Sequence, residues 1–174
     1  AALCLAHEEA DPPEKIDAKE QHKATVLPDR VILTWSGNPA YSQDVTWRTS
    51  TAVKKSYVEF AAATEGSSFV KYSQRIPAST EPFESDLGTY HLHTAQMGAL
   101  APATKYAYRV GDGNNWSEWF HYSTASTKSE PFSFIYFGDA QNSVRSLWSR
   151  IIREAHSDAP KAAFLLHAGD LINV

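Results

Sequence analysis

Two apolar runs that each end in Gly-Asp place the strongest constraint on how this chain folds. Residues 132–139 read FSFIYFGD, and residues 163–170 read AFLLHAGD. A continuous apolar run is typical of a strand that is buried on both faces. Between the two runs, apolar residues recur on one face of a predicted helix: Val144, Leu147, Trp148, Ile151, Ile152 and Ala155. The order strand, helix, strand predicts two parallel strands joined by a right-handed crossover.

Asp139 and Asp170 directly follow the two predicted strands. Both are therefore expected at the carboxyl edge of the sheet, where α/β proteins bind ligands. Neighbouring strands lie about 4.8 Å apart, and two carboxylates at such range repel each other unless a proton or a cation lies between them. The pair predicts half of a metal site. Each aspartate alone also fits a plainer role, Asp139 as a strand-ending turn or helix cap and Asp170 as a surface turn.

The segment before this unit has the pattern of a β-sandwich. From about residue 28, short alternating strands predict about seven strands of an all-β domain, at residues 30–35, 44–49, 56–60, 69–73, 89–96, 105–110 and 119–123. Trp35 and Trp47 are expected to fill its core, and carbohydrate stacking is the alternative. We therefore expect two parts, a sandwich at residues 25–126 and a strand-helix-strand piece at residues 131–174.

A tyrosine motif makes the sandwich more specific. Residues 100–106 (LAPATKY) resemble the Leu-x-Pro-x-Thr-x-Tyr corner of fibronectin type III domains, with Tyr106 bonding across the corner. The chain then reads Tyr-x-Tyr-x-Val-Gly, an aromatic strand at residues 119–124, and the first Gly-Asp. This order resembles that of purple acid phosphatases, in which such a sandwich precedes a catalytic domain. The two Gly-Asp segments, residues 137–141 and 167–173, likewise resemble the first two motifs of calcineurin-like binuclear metallophosphoesterases.

The resemblance covers roughly residues 25–174 and implies a fold and an activity. The fold is a fibronectin type III-like sandwich followed by the first βαβ unit of an α/β metallophosphoesterase domain. The activity is hydrolysis of a small phosphate ester by a metal-bound hydroxide. Asp170 would bridge two metal ions and Asp139 would bind one of them, with Fe, Zn and Mn all open. No histidine follows Asp170, so the sequence is expected to be the N-terminal part of an enzyme, with no catalytic residue of its own and no activity alone.

Two positions depart from the family pattern. The wider superfamily has a histidine where Gln141 stands, and purple acid phosphatases have a tyrosine where Asn173 stands. Gln141 is either a weak metal ligand, a residue that orients a ligand, or a turn residue, and Asn173 is a further weak candidate. His167 is expected in the core or behind the metal ligands. His91 and His93 form a His-x-His pair that is expected on an exposed strand face rather than in a metal clip.

Composition excludes several classes of protein. The formal net charge of −4 provides no basic field for nucleic acid. No apolar run has the length of a membrane span. The single Cys4 excludes an internal disulfide and a zinc-cysteine site. Residues 1–24 are expected to be a signal remnant, which predicts a secreted, periplasmic or cell-surface protein, or a disordered linker, and a lipid anchor on Cys4 is left open.

Two other functions fit parts of the sequence. The first is a non-enzymatic extracellular module in which the sandwich binds carbohydrate or protein. The second is a phosphate or nucleotide binder that uses the turn at residues 139–143 and the start of the following helix. That turn contains few glycines and carries an aspartate, so it would repel phosphate unless a metal intervened.

Overall fold

The structure, a computed structural model, describes residues 16–141 and 143–171. They belong to two compact units, one formed by residues 16–129 and one whose described part begins at Glu130. The predicted signal remnant with Cys4, and the candidate ligand Asn173, lie outside the described residues. Within the predicted linker, the structure has a single helical turn, α1 (Ala18–Gln21), which Asp17 caps by accepting a hydrogen bond from the Lys19 amide.

The first unit is a sandwich of two four-stranded antiparallel sheets. One sheet has the strand order β1-β2-β6-β5 and the other has the order β4-β3-β7-β8. The strands are β1 (Asp29–Thr34), β2 (Gln43–Thr49), β3 (Tyr57–Ala62), β4 (Gln74–Pro77), β5 (Ser79–Ser85), β6 (Gly88–Met97), β7 (Lys105–Gly111) and β8 (Phe120–Ser123). The β-sandwich predicted from the alternation of the sequence is therefore confirmed.

The core lies between the two sheets and is built from alternate residues of the strands. Its largest fully buried side chains include Trp47, Met97, Val58 and Val110. The predicted core position of Trp47 is confirmed. Trp35 is 43% exposed, so its predicted core position is wrong. The reason is that β1 ends at Thr34, which places Trp35 beyond the sheet.

The predicted strands differ from the structure in the segment between β3 and β6. Residues 69–73 were expected to form a strand, but Ser68–Tyr72 form a 3₁₀ turn in which Phe69 alone is buried. Strand β5 is absent from the prediction. It lies at the edge of its sheet, is largely exposed on both faces and contains Pro82. An edge strand tolerates proline and needs no apolar alternation, so its sequence lacks the usual signal.

The predicted tyrosine corner is confirmed. The Tyr106 hydroxyl oxygen accepts a hydrogen bond from the Ala101 amide at 2.9 Å. Thr124 closes the same corner, because its hydroxyl donates to the Ala101 carbonyl at 2.7 Å and accepts from the Thr104 amide at 2.9 Å. These bonds tie the loop before β7 to the end of β8.

The predicted exposure of His91 and His93 is wrong. Residues 91, 93, 95 and 97 form the inward face of β6, and His93 is fully buried. Its two ring nitrogens bond to the hydroxyls of Thr49, at 2.7 Å, and Thr80, at 2.9 Å. His91 Nδ1 bonds to the Val53 carbonyl at 2.7 Å. Strands β2 and β5 pair with β6 on either side, so the histidines form part of a satisfied polar layer in the interior.

The second unit contains two short strands with a helix between them. Strand β9 (Ile135–Phe137) and strand β10 (Leu165–His167) pair in parallel through three residue pairs. A π-helical turn (Val144–Trp148) leads into α2 (Ser149–Asp158). The parallel pairing agrees with the sequence prediction. Two strands of three residues and one helix are too little to show an α/β metallophosphoesterase fold.

The apolar runs predict that both faces of β9 and β10 are buried. For the described residues, this prediction is wrong. Phe137 is buried against the Trp148 ring, with 4.8 Å between the ring centroids. By contrast, Tyr136 is 63% exposed and Leu165 is 57% exposed. Over the described ranges, none of the helices combines the length and apolarity that crossing a bilayer requires.

Candidate functional site

The two Gly-Asp turns lie side by side where β9 and β10 end. The Ala168 amide donates to the Phe137 carbonyl at 2.8 Å, just after the last residue pair of the ladder. Gly138-Asp139 then leaves β9, and Gly169-Asp170 follows β10. The parallel register therefore brings the two predicted metal ligands to the same sheet edge, as crossover geometry requires.

Asp139 adopts an unusual backbone conformation and lies against the opposite turn. Its φ is +52°, in the left-handed region that aspartate tolerates better than most residues. Gly169 has a φ of +98°, and a Cβ built on it would lie 2.6 Å from Asp139 Oδ1. Real Cβ contacts are not that short, so only glycine fits at position 169 while the carboxylate stays there. The Asp139 carboxylate thus lies against the residue that precedes Asp170.

Gln141 joins the two turns by a hydrogen bond. Its side-chain nitrogen Nε2 donates to Asp170 Oδ2 at 3.0 Å. The structure therefore brings together three of the predicted site residues, Asp139, Gln141 and Asp170. The roles of the two aspartates as metal ligands stay predictions.

His167 lies on the side of β10 that packs against the helix. Its ring centroid is 5.4 Å from that of Trp148 and 6.3 Å from that of Phe137. Both ring nitrogens are buried, and neither has a hydrogen-bond partner within the part of the chain that the structure describes. A buried donor without an acceptor costs about 1–3 kcal/mol. His167 thus occupies a core position in this unit, and its predicted role behind the metal ligands stays a prediction.

The donor set fits part of a metal site. Two carboxylates at one edge suit a hard divalent cation that keeps water in its coordination sphere. In the ranges that the structure describes, no group of three or more His, Cys, Asp or Glu side chains is placed to hold one ion. A binuclear centre of Fe, Zn or Mn needs more donors than these. The described residues therefore fit a partial site and not a complete binuclear one.

The sequence interpretation missed a stack of cations and aromatic rings on the outer face of the β4-β3-β7-β8 sheet. Arg109 lies 4.4 Å from the Trp116 ring and 4.7 Å from the Trp119 ring, and Arg75 lies 5.2 Å from Trp116. Beneath them, Glu59 accepts hydrogen bonds from both arginines at 2.6–2.9 Å. Burial raises the pKa of Glu59, but the hydrogen bonds and charges of the two arginines outweigh it and hold that pKa below its usual value.

Cross-strand register is the signal that would have revealed this stack. Glu59 pairs with Arg75 on one side and with Arg109 on the other, and directly paired residues share a sheet face. Once the strands are aligned, opposite charges fall together. The stack stabilises the sandwich, and nothing about it indicates a reacting group.

Comparison with known proteins identifies the sandwich. The family model described as "Purple acid Phosphatase, N-terminal domain" matches residues 28–124. A comparison with curated proteins finds no match. Among solved structures, a computationally redesigned β-sandwich protein aligns at 16% identity and a TM-score of 0.39, covering 58% of this chain and 96% of its own.

Two human fibronectin type III domains are similar to the same extent. The third such domain of KIAA0343 aligns at 16% identity and a TM-score of 0.37, covering 63% of this chain and 89% of its own. The domain of collagen α-1(XX) aligns at 19% identity and a TM-score of 0.36, covering 63% and 95%. Because these TM-scores are low, the fold is assigned from the strand order alone and not from these similarities. The family model, by contrast, spans more than half of the sequence, and the chain therefore belongs to the purple acid phosphatase N-terminal domain family.

Proposed function

We propose that this protein acts in metal-dependent hydrolysis of phosphate esters, with Asp139 and Asp170 as two of its metal ligands. Membership of the purple acid phosphatase N-terminal domain family supports a relation to phosphatases. That membership concerns the sandwich, which carries no reacting group. The observation that carries the proposal is the contact between the two Gly-Asp turns, where Asp139 lies against Gly169 and Gln141 bonds to Asp170.

The chemistry of this edge favours a cation. Two carboxylates held on adjacent parallel strands repel each other, and a cation between them turns that repulsion into binding. Bound metal ions would supply Lewis acidity towards the phosphoryl oxygens and an acidified water molecule. The residues of this chain hold and orient the carboxylates. Because two carboxylates are too few for a binuclear centre, the proposal requires further donors beside Asp139 and Asp170.

The substrate class follows from the proposed centre. A pair of metal ions, of iron, zinc or manganese, would bind the charged oxygens of a small phosphate ester. The formal net charge of the whole sequence, −4, gives no indication of a basic field for nucleic acid. We therefore propose a small-molecule ester as the substrate.

The test is an assay of the full-length protein that carries this sequence. We expect p-nitrophenyl phosphate or bis-p-nitrophenyl phosphate to be hydrolysed only after Mn²⁺, Zn²⁺ or Fe²⁺ is added. Asp139→Asn and Asp170→Asn should each lower kcat/KM by at least about 100-fold, because each removes an anionic ligand. Asp158→Asn is the matched control, since this exposed aspartate ends α2 in the same unit. Metal-independent turnover, or unchanged activity in both ligand variants, would refute the proposal.

A further inference from the structure

We infer that Gln141 is a positioning residue that fixes the Asp170 carboxylate through a hydrogen bond and does not itself bind the metal. This inference rests on the proposed function for its purpose, but the hydrogen bond is a property of the protein alone. The amino-acid sequence left three roles open for Gln141, and the geometry of its amide separates them.

The direction of the hydrogen bond follows from the chemistry of the two groups. An ionised carboxylate is an acceptor only, so the amide atom 3.0 Å from Asp170 Oδ2 must be the nitrogen that donates. An amide N–H cannot coordinate a cation. The amide oxygen, the only side-chain atom of Gln141 that could ligate a metal, is not the atom that contacts Asp170. In this arrangement Gln141 orients the carboxylate.

The hydrogen bond from Gln141 leaves the Asp170 carboxylate able to bind a metal ion. An aspartate offers about four lone-pair sites, and Gln141 occupies one of those on Oδ2. Among the described residues, Gln141 is the side chain that bonds to this carboxylate, and no described residue occupies the sites on Oδ1. Gln141 is also neutral. It therefore holds Asp170 without adding a third negative charge that a cation would have to offset. Asp170 is thus oriented before any metal arrives.

The two carboxylates are held by reciprocal contacts between the turns. Asp139, on the first turn, fits against Gly169 of the second, where a Cβ would be 2.6 Å from its oxygen. Asp170, on the second turn, is held by Gln141 of the first. The second turn therefore leaves room for the carboxylate of Asp139, and the first turn holds the carboxylate of Asp170 by a hydrogen bond. Without the hydrogen bond, only the contact between Asp139 and Gly169 would remain.

The first experiment tests the hydrogen bond in the metal-free, full-length protein. We expect the side-chain amide proton signals of Gln141 in a ¹⁵N-labelled sample to move when Asp170→Ala removes the acceptor. Asp158→Ala should leave them unchanged. The dependence on Asp170 should persist after saturation with diamagnetic Zn²⁺. The inference would be overturned if the chemical shifts of the Gln141 amide protons did not change in Asp170→Ala. It would also be overturned if, with Zn²⁺, they took the values of an amide that coordinates a metal.

The second experiment tests the consequence for metal binding, with Mn²⁺ affinity measured by electron paramagnetic resonance. Gln141→Met keeps the length of the side chain and removes the donor, and we expect Mn²⁺ affinity to fall by about tenfold, the usual effect of losing a partner behind a ligand. Gln96→Met, at an exposed glutamine of the sandwich, is the control. Unchanged affinity in Gln141→Met contradicts the inference. If the wild-type protein binds no Mn²⁺ at all, the proposed function fails, and the amide signals still decide whether Gln141 holds Asp170.

Discussion

The carboxylate of Asp139 lies so close to Gly169 that a side chain at position 169 would have to displace it. A Cβ on Gly169 would be 2.6 Å from Asp139 Oδ1, and Gly169 already has a φ of +98°. The glycine of the second Gly-Asp motif therefore leaves the space that the aspartate of the first occupies, and its positive φ independently favours glycine. This relation explains in steric terms why a glycine precedes Asp170.

Gly169→Ala should disrupt the second unit and displace Asp139. The positive φ alone costs an alanine about 1–2 kcal/mol, and the contact with Oδ1 adds to it. We expect faster hydrogen exchange in β9 and β10 and weaker Mn²⁺ binding by the full-length protein. Gly98→Ala is the matched control, because a Cβ there has open space and the φ is ordinary. Equal exchange rates in the two variants would contradict this account.

Glu59→Gln should destabilise the sandwich by about 2 kcal/mol. The carboxylate is buried and neutralises both Arg75 and Arg109, and breaking a buried ion pair costs about 3–5 kcal/mol. The Arg75 side chain is 49% exposed, so water offsets part of that loss. Urea denaturation measures the effect, with Glu84→Gln on the exposed edge strand as the control. A loss no larger than that of the control would show that the stack contributes nothing.

The ring of His93 should make the sandwich sensitive to acid. Thr49 donates its hydroxyl proton to the Ser50 carbonyl, so it accepts from His93 Nε2–H, and the other ring nitrogen accepts from Thr80. His93 is thus neutral in the folded protein. Burial, followed by the nearby charge of His91, lowers the pKa of His93 from 6.5 to about 4.

The sign of the pH effect follows from this shift. The unfolded chain binds a proton at His93 near pH 6.5 and the folded chain only near pH 4, so stability is full above pH 6.5 and falls between these values. The loss amounts to about 3 kcal/mol by pH 4. Urea unfolding from pH 7.5 to 4 should show this slope in the wild type and a flatter one in His93→Gln. His121→Gln, at an exposed ring of the same unit, should keep the slope, and an unchanged slope in His93→Gln would refute the assignment.

Features that depend on a local pattern could be predicted from the sequence. The predictions failed where the position of a side chain depends on partners from distant segments of the chain. Trp47 and the Tyr106 corner follow from alternation and a compact motif, and both are present in the structure. His91 and His93 look like an exposed polar pair until the strands on both sides of β6 are known, because their hydrogen-bond partners come from distant segments. Likewise, spacing alone could place Asp139 and Asp170 at one edge, but not reveal the hydrogen bond from Gln141.

Tyr106→Phe should cost the sandwich about 1–1.5 kcal/mol. The change removes one oxygen and leaves the Ala101 amide without its acceptor at the corner, and the loss is that of an ordinary hydrogen bond because this one is only part-buried. Tyr122→Phe is a close control, because the two rings stack 5.7 Å apart and Tyr122 donates only to the Met97 sulfur at 3.8 Å. Sulfur is a weak acceptor, so Tyr122→Phe should cost less than about 1 kcal/mol. Urea denaturation at pH 7.5 compares the two variants, and equal losses would show that the corner hydrogen bond has no special weight in this sandwich.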